Sequence, residues 1–293
     1  MFDLGELLEP TTLEEAVQCY GARPDLKVIA GGTDVLIRMR HGDLPGANLL
    51  SLRAIPGLDA ITLREDGTLA IGAMAPFTRI SEDPLVRQLA PILAEAAGSV
   101  GGPQVRNVAT LGGNLCNGAV SADSASTLFA LEACLQLESR AGTRLLPIPE
   151  FYAGPGKVHL GSGELLTAIL IPEAGYRGMG GCYIKYAMRK AMDIATLGVA
   201  AVCRVRDGRF ETLRLALGTA GPVPFRCAEA EAFAQGRPAT ADTIQEIGRL
   251  AVKPAAPRTS WRASREYREH LIDVLTQRAV AEAAQRGGGC CAQ

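Results

Sequence analysis

Apolar residues recur along the chain with two periods, and the elements can be read from where one gives way to the other. In "TTLEEAVQCY", Leu13, Ala16 and Val17 fall at helical spacing, with Thr12 placed to cap and Glu15 to complete a capping box. "LKVIA" then reads as a buried strand, "DVLIRMR" as a helix presenting Val35, Leu36 and Met39 on one face, and "ANLLSL" as a second strand, which makes a small β-α-β unit. "AITLREDGTLAIG" alternates on both sides of Asp66-Gly67 and predicts a hairpin, since both turn residues accept positive φ. In "DPLVRQLAPILAEAAGSVG", Leu85, Val86, Leu89, Leu93 and Ala96 predict one helix, with Pro84 in its first turn and Gly98 at its end. The next stretch, "GGPQVRNVATLGGNLCNGAVSADSAS", is rich in small and polar residues and is expected to be a long functional loop. A helix over "STLFALEA" and strands over "CLQLES" and "ELLTAILIP" follow, with "FYAGPGKVHL" between the strands.

"EAGYRGMGG", residues 173–181, is the expected linker. Beyond it, "CYIKYAM" and "GVAAVCRVRDGRFETLRLALG", folded at Asp207-Gly208, predict an antiparallel sheet. From "AEAEAFAQG" to "SREYREHLIDVLTQRAVAEAAQ" the period is helical, with Tyr267, Leu271, Val274 and Leu275 on one face. The expectation is an α+β chain in which a small sheet with helices follows a larger first domain.

Composition narrows the class. A chain of 293 residues, 47% hydrophobic, can bury a sizeable core and suits two domains. Its 30 basic and 31 acidic residues nearly cancel, so no net field draws it to nucleic acid or to an anionic membrane. "MFDLGELLEP" carries acids where a secretory signal would be basic and then apolar, and no uncharged apolar run reaches membrane-spanning length, so a cytoplasmic protein is expected. The eight cysteines (Cys19, Cys116, Cys134, Cys182, Cys203, Cys227, Cys290 and Cys291) form no C-x-x-C pair, and His41, His159 and His270 are far apart in sequence. They read as reduced, mostly buried thiols, and no metal site is expected. "CCAQ" fits a prenylation signal formally, but "GGG" without a polybasic segment precedes it, so residues 287–293 read as a flexible tail without a role.

The chemistry concentrates in two glycine loops. "AGGTD", residues 30–34, lies between a strand and a helix, and "TLGGN", residues 110–114, follows "VRNVA". A glycine pair in such a place lets backbone N–H groups approach a phosphate. Either loop alone is better explained as a turn, but two loops of similar chemistry could grip both halves of a diphosphate. The dinucleotide fingerprint and the P-loop are both absent, and no Ser-His-Asp set, zinc spacing or paired-carboxylate motif stands out.

"VIAGGTDVLIRMR" and "VRNVATLGGNLCNGAVSADSAS" closely resemble the FAD-binding, medium subunit of molybdenum hydroxylases, which include xanthine dehydrogenases, aldehyde oxidoreductases and carbon monoxide dehydrogenases. The resemblance runs from "MFD" to "VAEAA". "GPQVRNVAT", "CNGAVSADSA", "GPGKV", "KYAMRKAMDIATLG" and "APRTSWRAS" are similar to the bacterial three-subunit xanthine dehydrogenases in particular. It implies an FAD-binding domain of the PCMH (vanillyl-alcohol oxidase-like) type over residues 1–175, made of two α/β subdomains of about 1–55 and 56–175. A C-terminal domain of the molybdenum hydroxylase flavoprotein type over residues 180–286 is implied to follow.

It further implies that Lys27, Val28, Ile29, Ala30, Gly31, Gly32, Thr33, Asp34 and Val35 wrap the FAD pyrophosphate and ribityl chain, with Thr110, Gly113 and Asn114 as a second grip. Val105, Ala109, Asn117, Ala122 and Asp123 are implied to lie along the same cofactor. A carboxylate beside a diphosphate would be repelled, so Asp123 is expected to accept hydrogen bonds from ribose or ribityl hydroxyls, unless it is the N-cap of the helix that follows. Leu165 and Leu166 match positions packed near the flavin ring, and equally read as core-strand leucines. Lys185 matches a lysine near the isoalloxazine, where a cation would stabilise the reduced flavin, and Arg189 and Asp193 match neighbouring positions.

In the family, substrate is hydroxylated at a molybdenum-pterin centre, electrons pass through two iron-sulfur clusters, and FAD delivers hydride to NAD. This chain has no plant-type C-x4-C-x2-C run and no room for a molybdopterin domain. An iron-sulfur small subunit and a molybdopterin-binding large subunit are therefore expected partners, as a dimer of heterotrimers. The residues leave open a self-sufficient flavin oxidoreductase and a non-catalytic assembly protein. They do not fix the organic substrate, nor do they separate NAD from oxygen, quinone or ferredoxin as acceptor.

Overall fold

The computed structural model describes residues 3–288; Cys290 and Cys291, with most of the expected tail, lie outside them. The first unit comprises strand β1 (Leu4–Leu8), helix α1 (Leu13–Ala22), strand β2 (Lys27–Ile29), helix α2 (Val35–His41) and strand β3 (Ala47–Ser51). Its three strands are all parallel, in the order β1-β3-β2. Strand β1 is absent from the sequence expectation because Leu4 and Leu7 are largely exposed on an edge strand, so no buried alternation marks it. At α1 the Thr12 hydroxyl accepts from the Glu15 N–H (3.2 Å), but Glu15 returns to the N–H of Thr11 (2.9 Å), one residue earlier than a regular capping box requires. Only Met39 of α2 is buried; Leu36 and Ile37 face outward, so the expected Val35–Leu36–Met39 face is not the packed one.

The second unit holds strands β4 (Ile61–Leu63) and β5 (Leu69–Gly72), and helices α3 (Phe77–Glu82), α4 (Pro84–Leu89), α5 (Pro91–Gly98), α6 (Pro103–Arg106), α7 (Leu111–Cys116) and α8 (Asp123–Ala130). Strands β6 (Cys134–Ser139), β7 (Gly142–Pro147), β8 (Tyr152–Gly154), β9 (Lys157–Val158) and β10 (Leu165–Ile171) and helix α9 (Glu173–Tyr176) complete it. Five of these strands form an antiparallel sheet in the order β4-β5-β10-β6-β7. Three expectations change here. The helix expected as one piece from Pro84 to Gly98 breaks at Ala90, because Pro91 has no N–H with which to continue it. The expected long loop contains α6 and α7 and leads into α8. The expected linker is packed structure: Tyr176 is buried and donates to the Gly67 carbonyl (2.5 Å), and Gly180 already lies in a strand. At the Asp66-Gly67 turn only Gly67 has positive φ, and the Asp66 carboxylate accepts from the Thr68 N–H (2.9 Å).

Strands β11 (Gly180–Tyr186), β12 (Leu197–Arg206), β13 (Arg209–Gly218) and β14 (Phe225–Arg226) form the last sheet, antiparallel in sequence order, with helices α10 (Ala228–Ala234), α11 (Ala241–Val252) and α12 (Arg265–Arg286). At the β12–β13 turn Asp207 and Gly208 both have positive φ, as expected. Leu271 and Leu275 of α12 are buried together with Ile272, Ala279 and Val280. The packed face is thus rotated away from Tyr267, which is exposed and shares a 2.6 Å hydrogen bond with the Tyr186 hydroxyl.

Strand alternation divides the faces of this sheet. Val199, Ala201, Cys203 and Val205 join the core with α12, whereas Ala200, Val202 and Ala216 join the core that holds Ala125, Leu128 and Phe129 of α8. Every residue of α8 is buried, so the small side chains at 200 and 216 fix how closely it lies on the sheet. Ala200→Leu should overfill this contact and lower stability by about 1–3 kcal/mol in denaturant unfolding; an unchanged midpoint would contradict the packing described.

Candidate functional site

Between the end of β2 and the start of α2 the backbone turns through Gly32, whose φ of 75° favours glycine. Gly31 is required for a different reason: a Cβ there would lie 1.8 Å from the Val108 carbonyl oxygen. The first loop is thus pressed against the segment before α7, and a Cβ at Gly113 would come within 3.7 Å of the Ala30 Cβ. The two glycine loops meet. The N–H groups of Gly31, Gly32, Thr33 and Asp34 donate to no acceptor among the described residues. Asp34 precedes α2 without a side-chain capping bond. Four consecutive free donors at one turn are an arrangement suited to an anion.

The second loop differs from the expectation of like chemistry. The N–H groups of Leu111 and Gly112 donate to the carbonyls of Ala75 (3.1 Å) and Ala73 (2.8 Å), that of Gly113 to the Thr110 hydroxyl (3.1 Å), and that of Asn114 to the Thr110 carbonyl (3.0 Å). Gly112 is needed for packing, because a Cβ there would lie 2.6 Å from that of Ala73. Further on, the N–H groups of Ala119, Val120, Ser121, Asp123 and Ser124 have no acceptor among the described residues. The Ser124 hydroxyl donates to Asn114 Oδ1 (2.7 Å) and ties α8 to α7.

Asp123 opens α8 but makes no capping bond; Ala122 is the N-cap. Its carboxylate instead accepts from Lys185 Nζ (2.8 Å) and from the Tyr183 hydroxyl (2.8 Å). The Lys185 ammonium also donates to the Ser99 carbonyl (3.0 Å), so two of its three donors are used within the chain. Side-chain exposure is 13% for Lys185 and 7% for Asp123, which makes this a buried ion pair. Burial pushes the Asp123 carboxyl above its ordinary range, and the Lys185 charge and hydrogen bond and the Tyr183 hydrogen bond pull it back. Tyr183 was missed from the sequence, although its place two residues from Lys185 on β11 puts both on one face.

The other expected residues differ in exposure. Leu165 packs in the core of the first unit and Leu166 in that of the second, whereas Lys27 and Asn117 are exposed. Val105 is half-buried and contacts the turn at Gly101, and the Ala109 carbonyl accepts from the Phe77 N–H (3.1 Å). In the β11–β12 loop, Asp193 accepts from the N–H groups of Arg189 (2.9 Å) and Ile194 (2.9 Å), and the Met192 N–H donates to the Gly101 carbonyl (3.0 Å). Arg189 and Asp193 thus shape this loop.

Among the described residues no group of three or more His, Cys, Asp or Glu side chains could hold a metal, and no helix is long and apolar enough to cross a membrane. No disulfide joins the six cysteines described, and burial pushes the Cys116 and Cys182 thiols up to about 12 and about 11, away from reactivity. The arrangement supplies the kinds of group that receive an anion: free backbone donors at residues 31–34 and a buried ammonium at Lys185. Lys185→Met would leave a carboxylate buried and unpaired. It is expected to cost about 3–5 kcal/mol in urea unfolding, with most of the loss recovered in Lys185→Met/Asp123→Leu; a single variant as stable as the parent would contradict the buried pair.

Residues 2–174 match the FAD binding domain in molybdopterin dehydrogenase, and residues 182–283 the CO dehydrogenase flavoprotein C-terminal domain. The chain is similar to the xanthine dehydrogenase FAD-binding subunit of Escherichia coli O157:H7, 44% identical over 289 residues that cover 99% of each. It also superposes on a chain of the carbon monoxide dehydrogenase from Hydrogenophaga pseudoflava, with a TM-score of 0.92, 30% identity and 100% of both chains covered. For quinoline 2-oxidoreductase from Pseudomonas putida 86 the TM-score is 0.91, with 30% identity over 97% of this chain and 98% of the other. With both halves matched and the likeness running end to end, the chain belongs to the FAD-binding, medium-subunit family of the molybdenum hydroxylases.

Proposed function

We propose that the chain is the electron-transfer subunit of a xanthine dehydrogenase-like molybdenum hydroxylase, receiving electrons from iron-sulfur clusters on a small partner subunit and passing them to NAD. The molybdopterin belongs to a large partner subunit, and the assembly is a dimer of heterotrimers. In this reading residues 1–175 bind FAD, residues 180–286 complete the environment of its ring, and the complex works in the cytoplasm. The 44% identity to a xanthine dehydrogenase FAD-binding subunit supports the choice of complex.

The observation that carries the cofactor assignment is the run of unpaired N–H groups from Gly31 to Asp34, which fits a diphosphate. Ala30 to Val35 hold that group, with Lys27, Val28 and Ile29 as the strand that presents the loop. Thr110, Gly113, Asn114 and Asn117 line the second segment with side chains, because the N–H groups of Leu111 to Asn114 already have acceptors in the protein. Ala122 and Asp123 bring the free donors that begin α8 to the same cofactor, β10 borders it at Leu165 and Leu166, and Val105 and Ala109 keep the second segment against Gly31. When bound, FAD supplies the exchange between single-electron and two-electron carriers. The third N–H of Lys185 is left for the cofactor, and the ammonium would stabilise the negative charge that reduction brings.

Two outcomes are expected. Gly32→Val forces a β-branched residue to a φ of 75° and sets its Cβ 3.1 Å from a Leu36 methyl, so the purified variant should lose most of its FAD; a folded variant with full flavin content would contradict the loop's role. On anaerobic mixing of the complex with NADH, the flavin absorption should bleach rapidly. A flavin that stays oxidised would overturn NAD as the acceptor and leave the FAD assignment standing.

A further inference from the structure

The cation beside the ring is held by a carboxylate, and the carboxylate by a tyrosine. Tyr183 and Lys185 alternate with Ile184 on β11 and reach the two oxygens of Asp123 separately, the phenol at Oδ1 and the ammonium at Oδ2. The register places Gly198 of β12 opposite Lys185, and a Cβ at Gly198 would lie 3.1 Å from the Tyr183 hydroxyl and 3.7 Å from Ser126 Oγ. A glycine therefore leaves the room in which the hydroxyl sits. Gly218 is the other glycine at this floor, with its would-be Cβ 3.7 Å from Ser126 Oγ, itself buried without a partner among the described residues. Burial and the neighbouring carboxylate push the Tyr183 phenol well above its ordinary range, so it remains a proton donor.

We propose that Tyr183 is a positioning residue that keeps Asp123 ionised opposite Lys185, and so sets the net charge that the flavin meets. The inference rests on the reading that Lys185 faces the flavin. With Asp123 ionised, the pair is neutral overall; with Asp123 protonated, the ammonium acts alone. The lone ammonium stabilises the negative charge of the reduced flavin more strongly, so the flavin potential rises as pH falls through the titration of Asp123. Burial already works against the ionised carboxylate, and only Lys185 and Tyr183 oppose it. Losing the hydroxyl removes one of those two supports, and a hydrogen bond to a charged group corresponds to about one to two pH units.

Other charges around α8 are engaged elsewhere. Glu95 of α5 accepts from the Tyr183 N–H (3.4 Å) and from Arg286 of α12 (2.5 Å), while Arg214 of β13 and Arg226 of β14 turn to Glu132 beyond the far end of α8. Arg204 and Arg206 of β12 pair with Glu211 of β13, Cys116 ends α7, and Glu150 lies in the 3-10 turn Ile148–Glu150. Lys185 and Tyr183 are the groups that bond the Asp123 carboxylate.

The test is spectroelectrochemical titration of the flavin in the purified, flavin-loaded complex as a function of pH, for the parent, Tyr183→Phe and Lys185→Met. In Tyr183→Phe the bend in the potential profile should move about one to two pH units upward, with a higher potential than the parent between the two bends. Lys185→Met should lower the potential at pH values below the bend, where the parent presents the ammonium alone. If Lys185→Met shifts the potential but the Tyr183→Phe profile coincides with the parent's, or is displaced without moving its bend, the role of Tyr183 is overturned and the placement of the flavin stands. If Lys185→Met leaves the potential unchanged, the placement fails and the inference fails with it. Should Tyr183→Phe not retain flavin, Gly198→Ala, which crowds the hydroxyl from the facing strand, should move the bend in the same direction; an unmoved bend overturns the proposal.

Discussion

Lys185 and Asp123 meet at 2.8 Å where neither has much water to take the other's place. Two ions so desolvated tolerate each other's company far better than each other's loss, and the removal of one partner is the costly event. The pair joins the first turn of α8 to the end of β11, and so ties the second unit to the last sheet. Every residue of α8 is buried between them, with Ala200 and Ala216 small enough to let it lie flat. The orientation of α8 in turn decides where the unpaired N–H groups before and within its first turn point.

A second close approach acts at the first glycine loop. The Gly31 backbone and the Val108 carbonyl are too near for any side chain between them, which brings the strand–helix loop of the first unit onto the segment before α7. Contact at this point and the ion pair of α8 with β11 set a frame that carries free backbone donors on the first loop and a cation on the last sheet. An extended cofactor with a diphosphate and a reducible ring fits such a frame, and membership of the family supplies its name. The protein's contribution is placement and charge; the redox chemistry belongs to the flavin.

Much of this was legible from the chain because its signals are local. The Asp207-Gly208 turn, the Thr12 cap and the strand "CLQLES" depend on neighbours within a few residues, and they appear where the patterns put them. Features that depend on distant neighbours were not legible. Strand β1 is exposed on its edge and shows no alternation; Pro91 interrupts a helix whose apolar spacing continues through it; and the face of α12 is set by a sheet far away in sequence. Within the site, glycine pairs at 31–32 and 112–113 look alike as letters. One leaves its donors free and the other fits a helix against Ala73, a distinction that only the fold makes. The Tyr183 hydroxyl was hidden for a similar reason, because the carboxylate it serves lies sixty residues earlier.

The most direct test of the central claim is amide hydrogen exchange on flavin-free and FAD-loaded protein, resolved to the loop before α2. The account predicts that the N–H groups of Gly31 to Asp34 exchange rapidly without flavin and become strongly protected with it, while those of Leu111 and Gly112, already bonded to Ala75 and Ala73, change little. Unchanged exchange at Gly31 to Asp34 on loading would contradict it, because the diphosphate would then have to be held elsewhere.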